Sequence, residues 1–257
     1  MICMAVVMAS SAYLIWYGYL WRQNQKIYDK VFEQLAEYPE TGETGEQYPD
    51  YELWNDTALE TFRQINPDVV GMLYIPDTVL CYPVVMTEEE GGSYYLYRDL
   101  YGKSNINGSV FADYRSPLLN PDYGEDQGKE TDMQNIILYG HNMRNGSMFG
   151  TIRKYTDPEF FQAHREVYFN YGQDGSKRYE ICSVLTLRTD DLYDRELFGR
   201  YTVPEDQKDT FVSYLRKRSL YETGISFGTD DSFLILLTCY SGVKNGRVAV
   251  VAKQASW

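Results

Sequence analysis

Residues 233–252 read FLILLTCYSGVKNGRVAVVA, which is two strongly apolar runs separated by a short polar segment. The first run, residues 233–237, is typical of a strand that is buried on both faces, and it leads into Cys239. The segment 241–246 carries turn-forming residues, and Arg247 opens the second run. The stretch therefore predicts two neighbouring strands joined by a turn, with a cysteine after the first strand and an arginine at the start of the second.

Short strands of the same kind recur through the chain after Pro67. The dipeptide at 76–77 and the segment 172–176 carry turn signals between apolar runs, which is typical of hairpins. The remaining predicted strands cover residues 69–75, 78–85, 109–112, 135–139, 167–171 and 178–187. Many short strands with few helices favour a closed or nearly closed β-barrel.

Helical patterns precede and interrupt these strands. Apolar spacing predicts helices over residues 22–38 and 51–65, and the acidic segment 39–50 between them has the composition of a linker. Short helices are expected over residues 147–155 and after Pro158. Thr202 to Glu205 has the pattern of a capping box with a proline in the first turn, and it predicts a helix that continues to about Arg218.

Residues 1–21 are almost continuously apolar and contain no charged residue. A run of this length can just span a bilayer, and no clear cleavage site follows it, so we expect an uncleaved membrane anchor. A secretory signal is the alternative. The first positive charges follow the run, which conflicts with an external C-terminal part unless translation starts upstream. The expected organisation is an anchor in 1–21, a helical extension and linker in 22–66, and one globular domain in 67–257.

Composition excludes several classes of function. The formal net charge is -13, which argues against nucleic acid as a partner because phosphate binding needs a basic surface. The four cysteines and two histidines show no metal-ligand spacing, so we expect neither a zinc site nor a cofactor. Cys81 and Cys182 are expected to be buried and inert, and His164 to lie on the surface.

Three residues at predicted strand ends carry the chemistry that a nucleophilic cysteine needs. His141 follows strand 135–139 as Cys239 follows strand 233–237, and Arg247 opens the next strand. Strand ends on one rim of a barrel meet, so a thiol, a proton carrier and a donor for an oxyanion are expected to converge. Each residue alone is more often structural: the cysteine in a core, the histidine in a turn, the arginine in solvent.

The local sequences around these residues resemble class B sortases. NIILYGHNMRNGSMF at 135–149, LLTC at 236–239 and GRVAVVAK at 246–253 occur in the family's order, and residues 95–115 are also similar. The resemblance covers about Pro67 to Lys253. It implies a mainly β fold with helices, namely a sortase-type closed β-barrel of about eight strands with an N-terminal helical extension and a long helix before the cysteine strand. Ile235 departs from the family's usual threonine, and we expect it to point into the barrel.

The resemblance also implies an activity. It implies a cysteine transpeptidase in which Cys239 attacks the threonine carbonyl of a C-terminal sorting motif carried by surface proteins. The acyl group then passes to an amine of the peptidoglycan precursor, with His141 as general acid and base and Arg247 as oxyanion donor. The substrate-binding residues that it implies are Thr238, Tyr240 and Tyr139. The implied location is the cell membrane, as a single-pass protein whose N-terminal helix contacts the membrane and whose catalytic domain is extracellular.

Three alternatives remain open at the level of sequence. A hydrolytic cysteine peptidase needs the same side chains as a transpeptidase. A class B sortase that polymerises pilin subunits would differ only in its amine, a lysine side chain. A binding module with a decayed site is less consistent with the sequence, because the cysteine, histidine and arginine all persist in matching contexts.

Overall fold

Ten strands form the main framework of the part of the protein that the structure describes. The computed structural model describes residues 2–36, 56–121, 131–172, 176–191, 194, 200–242 and 244–255. The strands are β1 (Val69–Tyr74), β2 (Cys81–Val85), β3 (Val110–Ala112), β4 (Met133–Gln134), β5 (Ile136–Tyr139), β6 (Glu166–Asn170), β7 (Ser176–Arg188), β8 (Thr202–Val203), β9 (Phe233–Tyr240) and β10 (Gly246–Gln254). Eight of them close in the order β1-β2-β3-β5-β9-β10-β7-β6, while β4 and β8 pair separately. The predicted closed barrel is therefore confirmed.

Both faces of the barrel wall at β9 are buried, which explains its unbroken apolar sequence. Side chains alternate along a strand, so Leu234 and Leu236 join the main core cluster on one face. Ile235 lies on the other face, in a cluster with Phe211 and Leu215 of helix α4 (Lys208–Arg218). Because the interior of an eight-stranded barrel holds only side chains, the helix and this cluster lie outside it. The expectation that Ile235 points into the barrel was therefore wrong.

The N-terminal helices pack against the barrel wall. Tyr28 is buried and packs edge-on against Tyr82 of β2, with ring centroids 5.1 Å apart, so the first helix docks on the barrel. The predicted linker 39–50 and residues 51–55 of the second predicted helix lie outside the described residues. Elsewhere in the described ranges, the helices are α1 (Ile2–Ala36), α2 (Asp56–Ile65) and α3 (Pro158–Ala163), with 3-10 helices at Glu89–Gly92, Tyr94–Tyr97, Ile152–Thr156 and Glu205–Gln207.

The long helix before the cysteine strand starts later than predicted. Thr202 lies in β8, where it is paired with Gln134 of β4, so it does not cap a helix. A 3-10 turn follows, and α4 begins only at Lys208. Most of the predicted helix 147–155 is not helical. Only its last four residues are, and they lie in the 3-10 helix Ile152–Thr156.

The prediction of a membrane anchor in residues 1–21 was wrong. These residues lie in α1 from Ile2 onward, yet no helix in the described part of the chain is long and apolar enough to cross a bilayer. Small and hydroxyl-bearing residues such as Ser10, Ser11 and Gly18 dilute the apolar run, and this lowers its mean hydropathy. The same finding overturns the predicted location, a single-pass protein of the cell membrane, and gives no support to membrane contact through the N-terminal helix.

Candidate active site

Strand pairing brings the three predicted catalytic residues to one rim of the barrel. β5 and β9 are parallel, and Tyr139 pairs with Leu237. His141 and Cys239 each lie two residues further along, so they come level where β5 ends. On the other side of β9, the antiparallel register pairs Cys239 directly with Arg247 of β10. The predicted convergence of residues about a hundred positions apart is thus a consequence of the barrel's strand order.

A cleft of about 440 Å³ opens at this rim, and His141, Cys239 and Arg247 all line it. Cys239 is exposed, whereas Cys81 and Cys182 are buried. Burial raises the pKa of both buried thiols, which keeps them protonated and unreactive at neutral pH. Among these three cysteines, only the one in the cleft is accessible to a substrate.

Hydrogen bonding fixes the orientation of the His141 ring. Its Nε2 atom lies 2.7 Å from the backbone oxygen of Leu96, and its ring packs against Tyr97 with centroids 5.6 Å apart. A carbonyl oxygen only accepts hydrogen bonds, so Nε2 carries the hydrogen. Nδ1 is therefore the ring nitrogen that can take up or release a proton.

Two hydrogen bonds tie the histidine segment to the cysteine strand. Thr238 is buried, and its Oγ1 donates to the backbone oxygen of Gly140 at 2.7 Å. Asn142 Nδ2 donates to the backbone oxygen of Cys239 at 2.8 Å. A Cβ atom on Gly140 would lie 2.7 Å from the Phe149 ring, so the close packing of this turn requires glycine. The structure thus gives Thr238 a positioning contact within the site.

The other predicted substrate-binding residues lie in different surroundings. Tyr240 is half-buried and lines the cleft. The hydroxyl of Tyr139 donates to Asp113 at 3.0 Å, and Asp113 is paired with Arg115 at 2.8 Å. A role of Tyr139 toward substrate stays a prediction. Arg247 is half-buried, and its Nη1 atom donates to the backbone oxygen of Gly246 at 2.9 Å.

His164, the histidine outside this cleft, is less exposed than the sequence predicted. His164 is half-buried rather than on the surface, because Nδ1 lies 3.1 Å from the backbone oxygen of Pro76. Its ring packs against Phe160 with centroids 4.3 Å apart. Its two contacts are structural, so it makes a useful control for His141.

Comparison with known proteins assigns the family. Residues 110–255 match the sortase domain. The chain belongs to the sortase family. This sortase is 31% identical over 199 residues to sortase B of Listeria monocytogenes, covering 76% of the chain and 73% of that protein. It is 28% identical over 198 residues to sortase B of Staphylococcus aureus, with 76% of the chain and 73% of that protein covered.

A solved structure supports the same class. The X-ray structure of Clostridium perfringens sortase B superposes with a TM-score of 0.64 at 26% identity, and the match covers 77% of this chain and 99% of that one. With the curated relatives, this places the chain in class B. Sortases are cysteine transpeptidases, so the chain is an enzyme of that kind.

Asn142 is a residue of the sortase site that the sequence did not single out. We expect Asn142→Ala to lower kcat for peptide cleavage about three- to tenfold, because a hydrogen bond of this type contributes about 1 kcal/mol. The KM for peptide should change little, since the side chain holds Cys239 rather than the substrate. Steady-state kinetics separate the two constants. Asn142→Asp keeps the shape without the donor and should behave similarly; an unchanged kcat in both variants would contradict the role.

Proposed function

We propose that this sortase cleaves a sorting motif near the C-terminus of surface proteins after threonine and transfers the acyl group to an amine of the peptidoglycan precursor. The observation that carries the proposal is a single cleft lined by an exposed Cys239, by His141 and by Arg247. These residues supply a nucleophile, a proton carrier and a cationic hydrogen-bond donor, which are the groups that acyl transfer requires.

In the first half-reaction, the Cys239 thiol passes its proton to His141 Nδ1, and Sγ attacks the threonine carbonyl carbon. Arg247 donates to the oxyanion that forms, and the backbone N–H of Tyr240 is a second candidate donor. The C–N bond then breaks, and His141 Nδ1 gives its proton to the leaving amine. The product is a thioester between Cys239 and the threonine acyl group.

In the second half-reaction, an incoming amine attacks the thioester. His141 Nδ1 takes the amine's proton, a new amide bond forms, and the C–S bond breaks. Nδ1 then returns the proton to Sγ, which restores the Cys239 thiol and the neutral imidazole. The same histidine therefore acts as acid in one step and as base in the next. This reciprocity depends on the bond to Leu96 that leaves Nδ1 as the exchanging nitrogen.

We further propose that residues 67–257 form the catalytic domain and that residues 22–66 brace it. Support comes from Tyr28 of α1 and Phe62 of α2, which are both buried in the main core cluster of the barrel. The extension would then stabilise the fold without contacting the reacting groups.

The test is to incubate the full chain with quenched fluorescent peptides that carry Asn-Pro-x-Thr, Ser-Pro-x-Thr or Leu-Pro-x-Thr, with and without an amine, and to identify products by mass spectrometry. We expect cleavage after threonine and an amine-joined product. Cleavage that gives only the free acid with every amine would identify a hydrolytic peptidase. Joining only to a lysine side chain of a pilin subunit would identify a pilin polymerase.

A further inference from the structure

The cleft carries a charge opposite to that of the chain as a whole. Asp and Glu outnumber Lys and Arg by 37 to 24, and the formal net charge is -13. Yet Arg144, Arg153 and Arg247 all line the cleft beside Cys239, and no carboxylate is found among the described residues that line it. The reaction therefore takes place in a locally cationic site on an acidic protein.

The two arginines without an assigned role reach the cleft from different segments. Arg144 is exposed in the turn that follows His141, and Arg153 is half-buried in the 3-10 helix Ile152–Thr156. Within the described ranges, neither guanidinium has a carboxylate within ion-pair distance. Guanidinium groups gathered in a concave site without counter-charges are suited to bind an anion, and carboxylates fit their planar geometry.

This charge has a consequence for the second substrate. A simple primary amine is mostly an ammonium ion at neutral pH, and a cationic cleft repels it. An amine that carries a carboxylate close by has no net charge at that end, and its carboxylate can pair with a guanidinium. The same positive surroundings lower the pKa of the bound amine, which favours its neutral, nucleophilic form.

We propose that Arg144 and Arg153 bind a carboxylate carried next to the nucleophilic amine, so that this sortase selects acceptors of the amino-carboxylate class. The inference rests on the transpeptidation proposed above. The acceptor nitrogen forms the new amide bond to the threonine carbonyl as the thioester C–S bond breaks. The amine's proton passes to His141, and the carboxylate stays ionised throughout.

The first test compares two acceptors that differ only in the carboxylate, glycine and glycinamide. We expect the joined product to form with higher kcat/KM for glycine, although glycinamide has the larger neutral fraction at neutral pH. In the double variant Arg144→Gln/Arg153→Gln the ratio of kcat/KM for glycine to kcat/KM for glycinamide should fall about three- to tenfold. The proposal would be overturned if the wild type showed no preference for glycine over glycinamide. It would also be overturned if the double variant lost kcat/KM equally with both acceptors, because the arginines would then bind the donor peptide.

A second test needs no turnover, so it separates this inference from the proposed function. Cys239 is alkylated with iodoacetate, which carries a carboxylate, and with iodoacetamide, which does not. We expect the iodoacetate-to-iodoacetamide rate ratio to fall about three- to tenfold in the double variant, and to fall with added salt in the wild type. The matched control is Lys154→Gln, which removes one charge from an exposed neighbour that packs on Phe160. A ratio unchanged by the double variant, or lowered as much by the control, would overturn the proposal.

Discussion

Replacing Cys239 with alanine is expected to abolish peptide cleavage and transfer together, by a factor of at least about 10⁴. The thiol forms the covalent intermediate, and no other group in the described cleft offers a nucleophile of comparable strength. Fold and cleft should persist, because the side chain is exposed and contributes little packing. The measurement is cleavage of the preferred fluorescent peptide, with the melting temperature recorded for each variant.

The control for this prediction lies in the barrel wall. Cys182→Ala should leave kcat unchanged and lower the melting temperature by a few degrees, since it removes a buried side chain whose sulfur donates to the Val251 backbone oxygen. Iodoacetamide mapping of the folded wild type should modify Cys239 and spare Cys81 and Cys182. Substantial cleavage by the Cys239→Ala variant would show that Cys239 is not the nucleophile. Modification of Cys81 or Cys182 in the folded protein would show that burial does not protect these two thiols.

The barrel and the meeting of His141, Cys239 and Arg247 could be anticipated because they follow from local signals. Apolar runs of strand length mark the wall, and chemically active residues at strand ends share a rim once the wall closes. The order of strands also matters, because only the parallel pairing of β5 with β9 brings His141 level with Cys239. That order was not predicted, because strand periodicity alone does not specify which strands are neighbours.

Other features depended on contacts that local patterns do not encode. Thr202 has the sequence of a helix cap, but its backbone pairs with Gln134 far along the chain, and this ladder prevents the cap. Ile235 is apolar and therefore suits either face of the wall, so its side was decided by the packing of α4. Asn142 gave no signal beyond its position after His141, because its role depends on a bond to a residue in another strand.

His141→Ala is expected to lower kcat for an amide substrate about 10²- to 10⁴-fold, the usual contribution of general acid–base catalysis. Without the imidazole, no group protonates the leaving amine, and an unprotonated amine is a very poor leaving group. An ester or activated thioester of the same motif leaves without that proton, so its acylation rate should fall much less. Parallel kinetics on the amide and ester forms of one peptide therefore measure the acid role directly.

The chain provides a matched control in its second histidine. His164→Ala should leave kcat unchanged for both substrates, because its ring contacts Pro76 and Phe160 rather than the cleft. If His141→Ala slowed the amide and the ester equally, the residue would act by holding the site and not by moving a proton. A selective loss with the amide would instead confirm that His141 delivers the proton to the leaving amine, and the bond from Nε2 to Leu96 leaves Nδ1 as the nitrogen that can do so.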